Sequence, residues 1–128
     1  MDYRASVLVV DDDEAIRDVI AEVLRDEGYR VTCAENGEQA LAELRSPARP
    51  DLMLLDLMMP VLSGWEVLEV IAADERLGGV AVVVVSAMAG PTGYEHLLKP
   101  IDLDRLLDTV KRGIGGVLPT RKQSEDTA

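Results

Sequence analysis

The sequence predicts an α/β protein built on a parallel sheet with helices on both faces. Three observations lead there. The apolar runs Ser6–Val10, Asp51–Leu55 and Val80–Val85 are continuous rather than alternating, which suits strands buried on both sides. Between them the apolar spacing changes to that of an amphipathic helix, so strands and helices alternate along the chain. The runs also stop at polar residues: Asp11-Asp12-Asp13, Asp56 and Ser86.

Ser6–Val10 is the first strand. From Asp13 to Glu27, residues Ile16, Val19, Ile20, Val23 and Leu24 follow the i, i+3, i+4 pattern of a helix, which Gly28 ends. Asp13 reads better as the cap of this helix than as a ligand. Tyr29–Ala34 is a second strand, and Asn36 can cap a helix holding Ala40, Leu41 and Leu44. Pro47 and Pro50 bracket the loop before the third strand, Asp51–Leu55, which Asp56 closes. After a loop at Met59-Pro60, Ser63-Gly64-Trp65-Glu66 matches a capping box, with Val67, Leu68 and Ile71 on one helical face. Trp65 is expected to be a partly exposed packing residue. Gly78-Gly79 interrupts the chain before the fourth strand, Val80–Val85. Glu95–Leu98 is a short fifth strand. Asp102 caps the last helix, where Leu103, Leu106, Leu107 and Val110 form the apolar stripe and Ile101 is placed to staple onto Leu106. Residues 1–117 make one domain; 118–128 are expected to be a disordered tail, frayed from Gln123 onward.

The bulk numbers agree with a globular domain. The chain has 128 residues, 48% of them hydrophobic, enough for one domain with a full core. A net charge of −11, from 13 basic and 24 acidic residues, argues against direct binding to nucleic acid, which needs a basic face. No apolar run is long enough to cross a membrane and no cleavable signal pattern is present, so a cytoplasmic location is expected. The single cysteine, Cys33, excludes an internal disulfide and is expected to be a buried, inert thiol.

In parallel sheets of this kind ligands bind beyond the carboxyl ends of the strands. Asp11, Asp12, Asp56, Ser86 and Lys99 all fall at that edge. Crowded carboxylates repel and drift toward protonation, and a hard divalent cation relieves the repulsion. Magnesium, or manganese in its place, keeps several waters and leaves room for a phosphoryl oxygen. Asp12 and Asp56 are the best direct ligands, Asp11 can act directly or through water, and the backbone carbonyl of Met58 can add a further oxygen. Asp56 can also attack phosphorus and form an acyl phosphate, with Ser86 and Lys99 holding the phosphoryl oxygens.

The segments VLVVDDDEAIRDVI, PDLMLLDLMMPVLSGWEVL, VVVVSA and LLKPI resemble the response regulator receiver domain of two-component signalling, over about residues 5–112. The resemblance implies a doubly wound, flavodoxin-like, five-stranded parallel sheet in the order 2-1-3-4-5. It implies Asp11 and Asp12 as the acidic pair for the cation, Asp56 as the phosphorylated aspartate, Ser86 as the hydroxyl and Lys99 as the phosphate-contacting lysine. It also implies a cis peptide before Pro100, a histidine kinase or histidine phosphotransfer protein as phosphodonor, and an output protein that the sequence does not name.

Three departures stand out against that family. Only eight residues, Ala87–Tyr94, separate the fourth strand from the fifth, with Gly90, Pro91 and Gly93 among them. Stretched, they reach roughly 26 Å, so a parallel return is possible, but the family's fourth helix is expected to be absent or reduced to one turn. The relay aromatic usually found three positions before the lysine is replaced by His96, with Tyr94 two residues earlier on the same face, so both are switch candidates. Met58 and Met88, two residues past Asp56 and Ser86, cannot orient water by hydrogen bonding, which favours a long-lived phosphoryl group. The chain is thus expected to be no enzyme beyond its own phosphorylation and dephosphorylation. The competing reading is a receiver-like binding module that signals without phosphorylation through the remodelled region 87–98. An aspartyl phosphatase of the haloacid dehalogenase type needs a second aspartate where Met58 stands, and a dinucleotide enzyme needs a glycine-rich turn where Asp11-Asp12-Asp13 stands.

Overall fold

Leucine, valine and methionine fill consecutive strand positions, so the strands can only be stable with both faces covered. The computed structural model describes residues 4–87 and 91–116. Strands β1 (Ser6–Val10), β2 (Arg30–Ala34), β3 (Leu52–Leu55), β4 (Ala81–Ser86) and β5 (Glu95–Leu98) form one sheet in the order β2-β1-β3-β4-β5. All four pairings are parallel. Strand alternation divides the core in two. Leu8, Met53, Leu55, Val82 and Val84 pack beneath helices α2 (Gly37–Leu44) and α3 (Gly64–Ala73). Val7, Val9, Leu54, Val83 and Val85 pack beneath α1 (Glu14–Asp26) and α4 (Leu103–Ile114). The fold is the flavodoxin-like α/β fold, with four α-helices among the described residues.

Each helix begins where a side chain meets its free amides. Asp13 Oδ1 accepts from Ala15 N and Ile16 N at 3.0 and 3.2 Å, and Asn36 Oδ1 accepts from Gln39 N at 2.9 Å. Ser63 and Glu66 close the reciprocal capping box at 2.9 and 3.2 Å. Asp102 Oδ1 takes the amides of Asp104 and Arg105. Such caps each contribute about 1 kcal/mol. Ile101 lies in the same apolar cluster as Leu106, as the staple requires.

The structure shifts several sequence boundaries for local reasons. Gly28 adopts φ +97° and Tyr29 N closes onto Leu24 O, so β2 starts at Arg30. Asp51 lies just outside β3, with its Oδ2 accepting from Ser6 N at 2.8 Å. β4 begins at Ala81 and includes Ser86. Asp74 caps a 3₁₀ turn at Glu75–Leu77 that the sequence reading did not foresee. Cys33 is half-buried, a correction: β2 is an edge strand, neighboured on one side only, and its exposure alternates.

Between β4 and β5 no helix lies among the described residues, which agrees with the short interval. The chain instead returns through Thr92, whose Oγ1 accepts from Tyr94 N at 3.2 Å just before β5. Met88 and Gly90, and the tail at 118–128, lie outside the described residues. No helix among the described residues is long and apolar enough to cross a membrane.

Candidate functional site

Parallel register brings the strand ends level. Val10 pairs with Leu55, Leu55 with Val84, and Ser86 with Leu98, so the residues that follow β1, β3 and β5 share one edge with Ser86. Asp11 and Asp56 are carried directly on the ends of buried strands and are themselves only 2% and 4% exposed. Their backbones continue the ladder: Asp11 N donates to Ala34 O at 3.1 Å and Asp56 N to Val10 O at 3.0 Å. Lys99 N likewise donates to Ser86 O at 3.0 Å, and the Lys99–Pro100 peptide is cis.

The side chains meet above this edge. Lys99 Nζ lies 2.9 Å from Asp11 Oδ2 and 3.5 Å from Asp56 Oδ2. The other oxygens are held by the turns beyond each strand, Asp11 Oδ1 by Asp13 N at 2.9 Å and Asp56 Oδ1 by Met58 N at 3.2 Å. Asp12 is exposed, yet one carboxylate oxygen from each of Asp11, Asp12 and Asp56 lies within 4.8 Å of the others. Two buried carboxylates and one at the solvent boundary suit a hard divalent cation, which would offset both their burial and their mutual repulsion while leaving one side open.

The electrostatics point the same way. The Asp56 carboxyl is raised above its ordinary value, chiefly by burial; the Met58 amide opposes this, the Asp11 charge adds to it and Lys99 offsets part of it. For Lys99, burial pulls the ammonium down, but its hydrogen bond to Asp11 and the charges of Asp56 and Asp11 outweigh it and the pKa is raised. Lys99 therefore stays a cation at neutral pH, between the two buried acids.

The sequence-identified residues divide here. Asp11, Asp12, Asp56 and Lys99 come together, and Ser86 is fully buried at the same edge. Met58 sits in the turn beyond Asp56 and is 59% exposed. Tyr94 is buried in the α2–α3 half of the core. His96 pairs with Val84 of that same half, so it shares the face; it is half-buried and its Nε2 finds no hydrogen-bond partner among the described residues. Trp65 is 41% exposed on the first turn of α3.

Two contributors escaped the sequence reading. Arg17 of α1 donates from its guanidinium to Asp11 O at 2.7 Å. Gly64 at the start of α3 lies against the backbone of Asp56: a Cβ there would come within 2.2 Å of Asp56 O. The only hint of either was position, a basic residue one turn into the helix and a glycine inside a capping box.

A family profile described as response regulator receiver domain matches residues 7–111. The chain belongs to that family. As a receiver domain it is a component of two-component signalling. It is 31% identical over 119 residues to the polar-differentiation response regulator DivK of Brucella anthropi, covering 86% of this chain and 96% of that protein. It is 43% identical over 84 residues to the DNA-binding response regulator MtrA of Mycolicibacterium smegmatis, covering 66% of this chain. That match takes in only 35% of MtrA, so the chain spans about a third of such relatives. Among solved structures, chemotaxis protein CheY4 of Vibrio cholerae aligns with a TM-score of 0.78 at 29% identity, over 86% of this chain and 98% of that one. The response regulator TrrA of Thermotoga maritima, in complex with Mg2+–BeF, aligns with a TM-score of 0.75 at 33% identity, over 85% and 98%.

Proposed function

We propose that this receiver domain accepts a phosphoryl group on Asp56 in a reaction that requires magnesium or manganese, and that phosphorylation switches its binding to an output protein. The observation that carries the reading is the meeting of three carboxylate oxygens within 4.8 Å beside a lysine ammonium that contacts both buried acids. A divalent cation held by Asp11, Asp12 and Asp56, with the Met58 carbonyl as a further oxygen, supplies charge stabilisation to the phosphoryl oxygens. The solved likeness of TrrA with Mg2+–BeF supports the choice of ion.

The chain's own groups do the rest. One Asp56 oxygen forms a bond to phosphorus as the bond from phosphorus to the donor's imidazole nitrogen breaks, and that nitrogen keeps the electron pair. Lys99 and the Ser86 hydroxyl bind the oxygens of the transferred group as charge spreads over them. The donor is a histidine kinase or a histidine phosphotransfer protein, and no other substrate is turned over. With Met58 beside the acceptor, attacking water lacks a hydrogen-bonding guide and the phosphoryl group is long-lived.

A second reading is favoured by the lack of a helix among the described residues between β4 and β5: binding through the 87–98 region without phosphorylation. Incubation with a divalent cation and acetyl phosphate, read by intact mass, separates the two. Gain of one phosphoryl group by the wild type and by no Asp56→Asn protein supports the acceptor role. No gain in the wild type refutes it.

A further inference from the structure

We propose that Arg17 is a positioning residue for the cation site, fixing the Asp11–Asp12 peptide so that the Asp12 carboxylate faces the other two. The inference rests on the magnesium reading above. Asp12 is the exposed member of the trio. Among the described residues no hydrogen bond or ion pair holds its side chain. The direction of its Cα–Cβ bond, and hence where its carboxylate can reach, is set by the peptides on either side, each planar and so movable only as a unit.

Both peptides are held from outside. The Asp11–Asp12 peptide is fixed through its carbonyl, which accepts from Arg17 Nη1 at 2.7 Å. The Asp12–Asp13 peptide is fixed through its amide, which donates to Asp11 Oδ1 at 2.9 Å. The second hold uses a carboxylate oxygen that a cation also attracts, whereas the first does not. Arg17 is itself anchored, because it sits in the first turns of α1 with its amide on Asp13 O at 2.9 Å. A charged donor on a neutral carbonyl at this distance is a strong hydrogen bond. The β1–α1 turn is thus clamped from the helix that follows it.

Positioning and charge predict opposite signs. A cation near the metal repels it, so charge alone makes loss of Arg17 tighten magnesium binding. Loss of a group that orients a ligand from outside weakens binding, by about ten-fold or more. Arg25 provides a matched control: it is on the same helix and donates from its guanidinium to Val31 O at 3.2 Å, at the opposite end from the acids.

The test is a titration of wild type, Arg17→Met, Arg17→Lys and Arg25→Met with magnesium chloride alone, followed by backbone amide NMR, with melting temperatures measured in a chelator. Arg17→Met is expected to weaken magnesium binding about ten-fold. Arg17→Lys, which keeps the charge but offers a single hydrated donor, weakens it less. Arg25→Met lowers the melting temperature as much as Arg17→Met does and leaves magnesium affinity at the wild-type value. Affinity at or above wild type in either folded Arg17 variant overturns the proposal, and so does an equal loss in Arg25→Met. If the wild type itself shows no saturable magnesium binding, the magnesium reading falls and takes this inference with it.

Discussion

Asp56 follows β3 and His96 lies on β5, with only β4 between them, yet their surroundings differ in kind. Around Asp56 every nearby element is tied down: its amide on Val10 O, one carboxylate oxygen on Met58 N, the other near Lys99, and α3 against its carbonyl. Around His96 the sheet ends. β5 is a four-residue edge strand, the described residues before it carry no helix, and the imidazole Nε2 has no partner among the described residues. The first region can hold charge in fixed positions, which is what electrostatic stabilisation of a transferring group needs. The two regions thus differ in how many contacts hold them among the described residues.

The strongest way to break that contrast is at Lys99, the one residue of the β5 side that belongs to the acceptor. Lys99→Met leaves Asp11 and Asp56 facing each other without their cation, and is expected to slow phosphorylation by acetyl phosphate on the order of 100-fold. A rate within a few-fold of wild type would show that the lysine is only structural. Gly64→Ala attacks the other side. Its Cβ would come within 2.2 Å of Asp56 O and 2.7 Å of Leu57 Cα, both backbone, so α3 must move. A loss of about 2 kcal/mol in urea unfolding is expected; an unchanged midpoint would mean that the β3–α3 junction yields freely.

Asp56→Asn tests the burial of the acceptor charge in the metal-free protein. Asp56 binds its proton more tightly folded than unfolded, so wild-type stability falls as pH rises from the ordinary aspartate value of 3.8 through the raised one. Asparagine carries no such penalty. Unfolding in chelator at neutral pH should therefore show the variant more stable than wild type, with the difference fading as pH falls toward the ordinary carboxylate range. A less stable variant at neutral pH would mean that Lys99 does more than offset burial. The smallest effect is expected at His96. Replacing it with alanine should leave the rate and extent of Asp56 phosphorylation unchanged, and a loss of phosphorylation would join the two regions that the structure separates.

The convergence of Asp11, Asp12, Asp56 and Lys99 was legible because they stand where apolar runs end, and a parallel sheet makes strand ends neighbours without further information. That no helix lies among the described residues of the β4–β5 interval was equally legible, since eight residues containing two glycines and a proline leave room for at most one turn. Arg17 and Gly64 were not, because each acts across a turn on a backbone carbonyl, a contact that depends on the final packing of a helix and leaves no spacing in the chain. Cys33 was misjudged for a related reason. An apolar segment can fill a central or an edge strand, and only the position in the sheet decides how much of it is covered. Its thiol is raised by burial, with Arg25 and Arg17 pulling it back, so it remains a poor thiolate even half-buried.

The central claim is that Asp56, held by the rigid half of the edge, is the atom-level acceptor. The most direct measurement is borohydride reduction of protein treated with magnesium and acetyl phosphate, which turns an aspartyl phosphate into homoserine, followed by peptide mass mapping. Homoserine is expected at position 56 alone. Homoserine at Asp11 or Asp12, or none at all, would contradict it.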